Sequence, residues 1–212
     1  MRSLRAPVTL ALAGGIAAAS LLLFWLARLD WAAFAGGFIS IRVAGTPPYM
    51  LTDGTLPVWL TPLSATLIHG SVLHLGSNLL MLVFAGNAIE RPIGPRGIMI
   101  LYVVGAYAAA AAHWLVDPGS HSPLIGASGA VSALIGAYSL LFAKSRTKAI
   151  GPFSAGFLHA IWLIVAWAAI NIILQLVTSG SGMPIAGVAH IGGFIAGILL
   201  ARPLLAAHWR TA

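Results

Sequence analysis

Six stretches of predominantly apolar residues recur along the 212-residue chain, at approximately 8–27, 72–89, 98–116, 127–143, 154–177 and 185–205. A helix needs about 20 such residues to cross a hydrocarbon core of about 30 Å. The pattern therefore predicts six membrane-spanning helices, the fourth distinctly short. The first run follows Arg2 and Arg5, as a signal peptide would. It outlasts the roughly 7–15 apolar residues of a signal, and Leu21-Leu22-Leu23-Phe24-Trp25 continues past the small residues where cleavage would fall. It reads as a retained helix. Two connections stand out. Residues 28–68 carry Trp31, Phe34, Phe38, Trp59 and the Pro47-Pro48 pair, too apolar for a solvated loop, and are expected in or on the outer leaflet. Residues 117–126 are turn-rich and lead directly into the short fourth helix. Without an internal repeat, an inverted-repeat transporter is not suggested. The chain reads as one domain, 1–212.

Charge orients the spans. Only 7% of residues are charged and 59% are hydrophobic, whereas a soluble domain carries about a quarter charged residues. That composition excludes a cytosolic globule and a disordered chain. The net charge of +7 is spread through apolar sequence and makes no nucleic-acid patch. Arg2 and Arg5, Arg91 and Arg96, Lys144, Arg146 and Lys148, and Arg202 and Arg210 fall on one side of six alternating spans. Only Arg28 and Arg42 fall on the other. The excess of positive charge on the inner side puts both termini in the cytoplasm. The fold class is an all-α polytopic membrane bundle. The absence of cysteine removes disulfides, thiolate metal sites and cysteine nucleophiles.

Polar groups inside a membrane are costly, so each is a candidate for function. They are His69, His74, Ser77 and Asn78 at the start of helix two, and His113 in helix three. Helix four adds Ser128 and Ser132, helix five His159 and Asn171, and helix six His190. Climbing from each helix's charged end at ~1.5 Å per residue places Ser128 and His74 roughly 24 Å up, and Asn78 and His190 roughly 18 Å up. His113 falls in a similar layer. Depth alone makes one polar site economical without proving it.

Gly126-Ala127-Ser128-Gly129 puts a hydroxyl at a loop-to-helix transition, where free backbone N–H groups stabilise nearby negative charge. On that tetrapeptide alone, a helix-capping serine and a nucleophile are equally supported. In helix six, His190, Gly193 and Gly197 are spaced i, i+3, i+7 and share one face. Helix four carries its own small ridge in Gly129, Ala133 and Gly136. Small-on-small faces let helix backbones approach closely in membranes, and packing these two would bring His190 to Ser128. The competing reading is a packing histidine bonded to a carbonyl. His74 and Asn78, at i and i+4, share a face and offer two neutral donors, as an oxyanion requires. His69 reads as orienting the outer connection. A zinc site from His69, His74 and His190 lacks any nearby carboxylate.

Three motifs thus stand in order: His69-x4-His74-x3-Asn78, Gly126-x-Ser128-Gly129 and Ala189-His190-x2-Gly193-x3-Gly197. Together they resemble the rhomboid intramembrane serine proteases in their minimal six-helix bacterial form, from about Trp59 to Arg202. Gly86 and Glu90-Arg91 resemble a related stretch after the family's second helix. The resemblance implies Ser128 as nucleophile and His190 as general base, a dyad without a carboxylate. It implies an oxyanion hole from His74, Asn78 and the N–H of Ser128, with His69, Gly126, Gly129, Gly193 and Gly197 supporting the site. It implies no metal or other cofactor, transmembrane protein substrates met within the lipid bilayer, and a multi-pass protein of the bacterial inner membrane. Two departures stand out. Ser132 occupies the position, four after the nucleophile, where the family often has an aromatic stacking on the catalytic histidine. No arginine follows Trp59, where the family has a Trp-Arg pair.

The expected function is an intramembrane serine endopeptidase. Its polar cavity would be roofed by Ser179-Gly180-Ser181-Gly182, with substrate entering beside helix five. A non-proteolytic rhomboid-like protein that binds or chaperones membrane clients is the alternative. A small transporter using the polar layer is a third reading, weakened because no acid lies inside a span: Asp30, Asp53 and Asp117 fall in outer connections and Glu90 at a cytoplasmic end.

Overall fold

The computed structural model describes residues 6–144, 147–178 and 186–210. The expected roof at residues 179–182 and the basic residues Arg2, Arg5 and Arg146 lie outside the described residues. Seven α-helices are present among them: α1 (Pro7–Trp25), α2 (Leu29–Gly36), α3 (Thr61–Ser64), α4 (Val72–Val116), α5 (Ser128–Phe142), α6 (Ala155–Thr178) and α7 (Gly187–Arg210). By length and apolar composition α1, α4, α6 and α7 are each able to cross a membrane, and α5 is a shorter apolar helix of 15 residues.

The expected helices two and three differ most from what is found. Both lie within α4, and the expected connection, residues 90–97, is helical on either side of a single break at Gly94. Proline disfavours helical geometry in the residue before it. Gly94 precedes Pro95 and takes φ 76°, ψ 165°, a conformation that glycine adopts without steric cost. Pro92 adds a second missing donor. The chain reverses there. His74 packs on Gly126 and Ala109 on Gly129, so both arms of α4 meet the segment that opens α5. A straight helix would hold residues 74 and 109 roughly 50 Å apart. α7 also extends past the expected residue 205, through Pro203, to Arg210.

Glu90 fastens α1 to this hairpin. Its carboxylate accepts from the Val8 N–H at 2.9 Å, the Thr9 N–H at 2.8 Å and the Thr9 hydroxyl at 2.6 Å. The free donors of a helix N-terminus are thereby matched by an acid, in favourable alignment with the helix dipole. Gly86 gives Thr9 its room: a Cβ there would run into the Thr9 side chain.

The small faces of α5 and α7 meet as the spacing predicts. A Cβ on Gly193 would strike the Gly129 carbonyl, one on Gly197 the Ala133 carbonyl, and one on Gly136 the Phe194 carbonyl. The two helices run parallel in near-backbone contact, which only hydrogen in place of a side chain allows.

The long outer connection is ordered by hydrogen bonds rather than by a core of its own. Phe38 and Leu124 exchange backbone bonds at 3.1 and 2.7 Å, and the Ile41 N–H reaches the Ser120 carbonyl at 3.2 Å. The outer segment thus pairs with the loop that precedes Ser128. Trp31, Phe34 and Trp59 are exposed, whereas Phe38 is buried. Arg42 is buried inside this segment and donates to the carbonyls of Phe34 at 3.2 Å and Leu56 at 2.6 Å. Burial lowers its pKa. Within the outer connection Arg42 thus ties distant backbone together, although no arginine follows Trp59.

Candidate active site

Ser128 is the first residue of α5. The two residues before it are pinned: the Gly126 N–H donates to the Ala65 carbonyl at 2.9 Å, and the Ala127 N–H to His69 Nε2 at 3.3 Å. His69 is fully buried, and its Nδ1 lies 2.8 Å from the hydroxyl of Ser20 on α1. That hydroxyl also donates to the Leu67 carbonyl at 2.8 Å. The protons distribute one way. Ser20 gives its hydrogen to Leu67, His69 Nδ1–H donates to Ser20, and the bare Nε2 accepts from Ala127. His69 therefore braces the loop that presents Ser128 and ties it to α1, a more direct role than orienting the outer connection.

The α5–α7 contact brings His190 Nε2 to 2.7 Å from Ser128 Oγ. This is hydrogen-bonding distance between a hydroxyl and an imidazole. The other ring nitrogen, Nδ1, lies 2.7 Å from Oδ1 of Asn171 on α6. Asn171 is 2% exposed and donates its Nδ2 to the Trp167 carbonyl at 3.0 Å. Trp167 in turn donates Nε1–H to the His190 carbonyl at 3.3 Å and stacks on Phe194, ring centroids 5.0 Å apart. Sequence reasoning singled out Asn171 as an intramembrane polar residue but gave it no partner. Its signal was an amide within an apolar run, and nothing along the chain pairs position 171 with position 190.

His74 completes the other wall. Its Nδ1 accepts from the Gly70 N–H at 3.4 Å, which leaves Nε2 as the protonated nitrogen. A Cβ on Gly126 would sit 2.7 Å from both Cε1 and Nε2 of that ring and 3.8 Å from Ser128 Oγ. The Nε2–H edge is thus presented beside the nucleophile, across a residue at φ 109° that must be glycine on both conformational and steric grounds. Asn78, one turn on, is buried and spends one amide hydrogen on the His74 carbonyl at 2.9 Å, leaving the second for another acceptor. The N–H groups opening α5 have no acceptor within their own helix. A small cavity beside Ser128 is lined by Phe38, Thr66, Ala109, Gly129 and Ala189.

Ser132 is buried, its Cβ 3.3 Å from where a Cβ on Gly193 would sit, and a serine there offers no ring to stack on the imidazole. No hydrogen bond links His113 to Ser128, His190, His74 or Asn78 among the described residues. Nor, among them, are three histidine or acidic side chains grouped to hold a metal ion.

Comparisons with known proteins bear on the family of the chain. Residues 57–207 match the rhomboid domain family model. The chain is similar to Rhomboid-related protein 2 of Mus musculus, 31% identical over 64% of this chain and 45% of that protein. It is similar to RHOMBOID-like protein 4 of Arabidopsis thaliana, 33% identical over 68% of this chain and 33% of that protein. It is also similar to Rhomboid protease GlpG of Serratia proteamaculans, 28% identical over 72% of this chain and 55% of that protein. These matches span about half or less of the relatives' own length. With the family model matching residues 57–207, most of its length, the chain belongs to the rhomboid family.

Proposed function

We propose that the protein is an intramembrane serine endopeptidase that cleaves transmembrane segments of membrane proteins. The observation that carries the reading is the 2.7 Å contact between Ser128 Oγ and His190 Nε2. It joins a nucleophile and a base from helices 62 residues apart in sequence. Ser128 Oγ attacks the scissile carbonyl carbon as its proton passes to His190 Nε2. The negative charge on the carbonyl oxygen is met by His74 Nε2–H, an amide hydrogen of Asn78 and the Ser128 N–H. His190 then protonates the leaving amine, the C–N bond breaks, and an acyl-enzyme remains on Oγ. Water, deprotonated by the same nitrogen, hydrolyses it and restores Ser128. Every group involved is neutral at rest, which suits a site in a low-dielectric layer.

In this reading α1, the two arms of α4, α5, α6 and α7 make six crossings, with both termini in the cytoplasm of a bacterial cell and the protein in its inner membrane. The basic residues Arg91, Arg96, Lys144, Lys148, Arg202 and Arg210 support that orientation. They cluster near the break of α4, the end of α5, the start of α6 and the end of α7, remote from Ser128. Substrate enters the bilayer-facing side of the site beside α6, whose side chains are largely exposed to the surroundings. Cleavage of a transmembrane substrate by purified protein, lost in Ser128→Ala with helix content and thermal unfolding unchanged, is the expected result. Undiminished proteolysis by Ser128→Ala refutes the assignment. Client binding without cleavage by the wild type points instead to a non-proteolytic rhomboid-like factor.

A further inference from the structure

The geometry points to Asn171 as the positioning residue of the catalytic base, so that the site operates as a Ser128–His190–Asn171 series rather than a bare dyad. This rests on the endopeptidase reading. Nδ2 of Asn171 is held by the Trp167 carbonyl at 3.0 Å, and a carbonyl accepts only from a donor, which fixes which end of the amide is which. Oδ1 therefore faces His190 Nδ1, at 2.7 Å. An amide oxygen only accepts, so Nδ1 carries the hydrogen, and in a neutral imidazole the lone pair then sits on Nε2. That lone pair points at Ser128 Oγ, 2.7 Å away. One carbonyl on α6 thus selects the tautomer that a general base needs.

The support is repeated along α6. Trp167, Asn171 and Gln175 recur every four residues on one helix face. Trp167 Nε1–H donates to the His190 carbonyl at 3.3 Å, and Gln175 Oε1 accepts from the Gly187 N–H at 3.0 Å. Gly187 permits the approach, since a Cβ there would lie 2.8 Å from both the Asn171 carbonyl and Gln175 Oε1. These three rungs hold the first turn of α7, which carries the base, against α6. With a serine at 132 offering no ring to stack on the imidazole, the α6 amide braces it. When Ser128 is deprotonated, the imidazolium keeps Nδ1–H on Asn171 Oδ1, whose partial negative charge favours it.

The test uses the full-length protein in detergent micelles, followed by cleavage of a transmembrane peptide and by fluorophosphonate labelling across the acid and neutral pH range. Asn171→Ala is expected to lower kcat about 10- to 100-fold with KM unchanged, the scale of a misplaced catalytic group. Asn171→Asp keeps the acceptor; it should recover most of kcat and move the acid limb of the pH–rate profile to higher pH, because a carboxylate favours the protonated imidazole. Gln175→Ala removes a rung without touching the ring, so it should lower kcat clearly less than Asn171→Ala does and leave the acid limb of the pH–rate profile in place. An active wild type with kcat unchanged in Asn171→Ala overturns this inference alone. If Asn171→Ala folds, loss of kcat equal to that of Gln175→Ala overturns the inference; if it does not fold, an Asn171→Asp profile that overlays the wild type does. A wild type that neither cleaves nor labels overturns the endopeptidase reading, and the inference with it.

Discussion

Gly197→Ala tests the link between helix packing and chemistry, because residue 197 lies nearly two turns from His190 and touches none of the reacting groups. A methyl at this position would lie 2.7 Å from the carbonyl carbon of Ala133 and 2.9 Å from its Cα, and closer still to its oxygen. Carbon atoms pack comfortably at about 3.5–4.0 Å. The obstacle is main chain on both sides, so no side chain can swing away. α7 must retreat from α5 by roughly 1 Å, a difference taken from that comfortable separation. Overpacking of this kind costs about 1–3 kcal/mol of stability. The functional loss is expected to be larger than stability alone would give. A 1 Å displacement of His190 from Ser128 is of the size that costs about 100-fold in rate. The paired control is Gly14→Ala on α1, where a new methyl meets nothing within 4 Å. There the change should be neutral or stabilise by up to about 1 kcal/mol. Fluorophosphonate labelling rate and thermal unfolding, measured on both variants below the unfolding temperature, separate the two effects. Gly197→Ala protein that labels at the wild-type rate refutes the claim that the glycine face sets the Ser128–His190 distance.

The remaining predictions concern the groups that hold this geometry. His69→Ala leaves the Ala127 N–H without its acceptor and Ser20 without its donor; each buried unpaired group costs about 1–3 kcal/mol, so thermal unfolding should move down by several degrees and labelling should slow. Glu90→Ala strips the partner from three donors at the start of α1. It should destabilise by at least about 2 kcal/mol in denaturant titration, while protein that remains folded labels at close to the wild-type rate. Gly126→Ala combines a positive φ with a methyl 2.7 Å from the His74 ring and should cut cleavage more than about tenfold. Much of that loss should be absent when the same change is made in a His74→Ala background.

Much of this architecture is legible along the chain because membrane physics writes it locally. Span lengths follow from apolar runs, and α1, α5 and α6 begin and end within about two residues of expectation. The α5–α7 contact was also readable, since glycine and alanine at helical spacing leave few other ways to pack in lipid. The reversal in α4 reads as a connection between two spans because Pro92, Gly94 and Pro95 disfavour helix and Arg91 and Arg96 disfavour a membrane interior. The single residue Gly94 absorbs the whole turn, and the helix resumes at once. What was not legible depends on partners far apart in sequence. Arg42 reads as a lone loop charge until two carbonyls converge on it. His69 reads as a neighbour of the outer connection until Ser20 arrives from α1. Asn171 reads as an isolated amide until Trp167 fixes its orientation and α7 brings His190 against it. In each case the informative quantity is where a proton or lone pair points, and that is decided only after the helices pack.

On the proposed mechanism Ser128 is a nucleophile activated by His190. The most direct measurement is mass spectrometry of the full-length protein after treatment with a fluorophosphonate. One adduct is expected on the peptide containing Ser128, absent from Ser128→Ala and reduced by orders of magnitude in His190→Ala. No adduct at Ser128 in protein that cleaves a transmembrane substrate, or an undiminished adduct in His190→Ala, would contradict it.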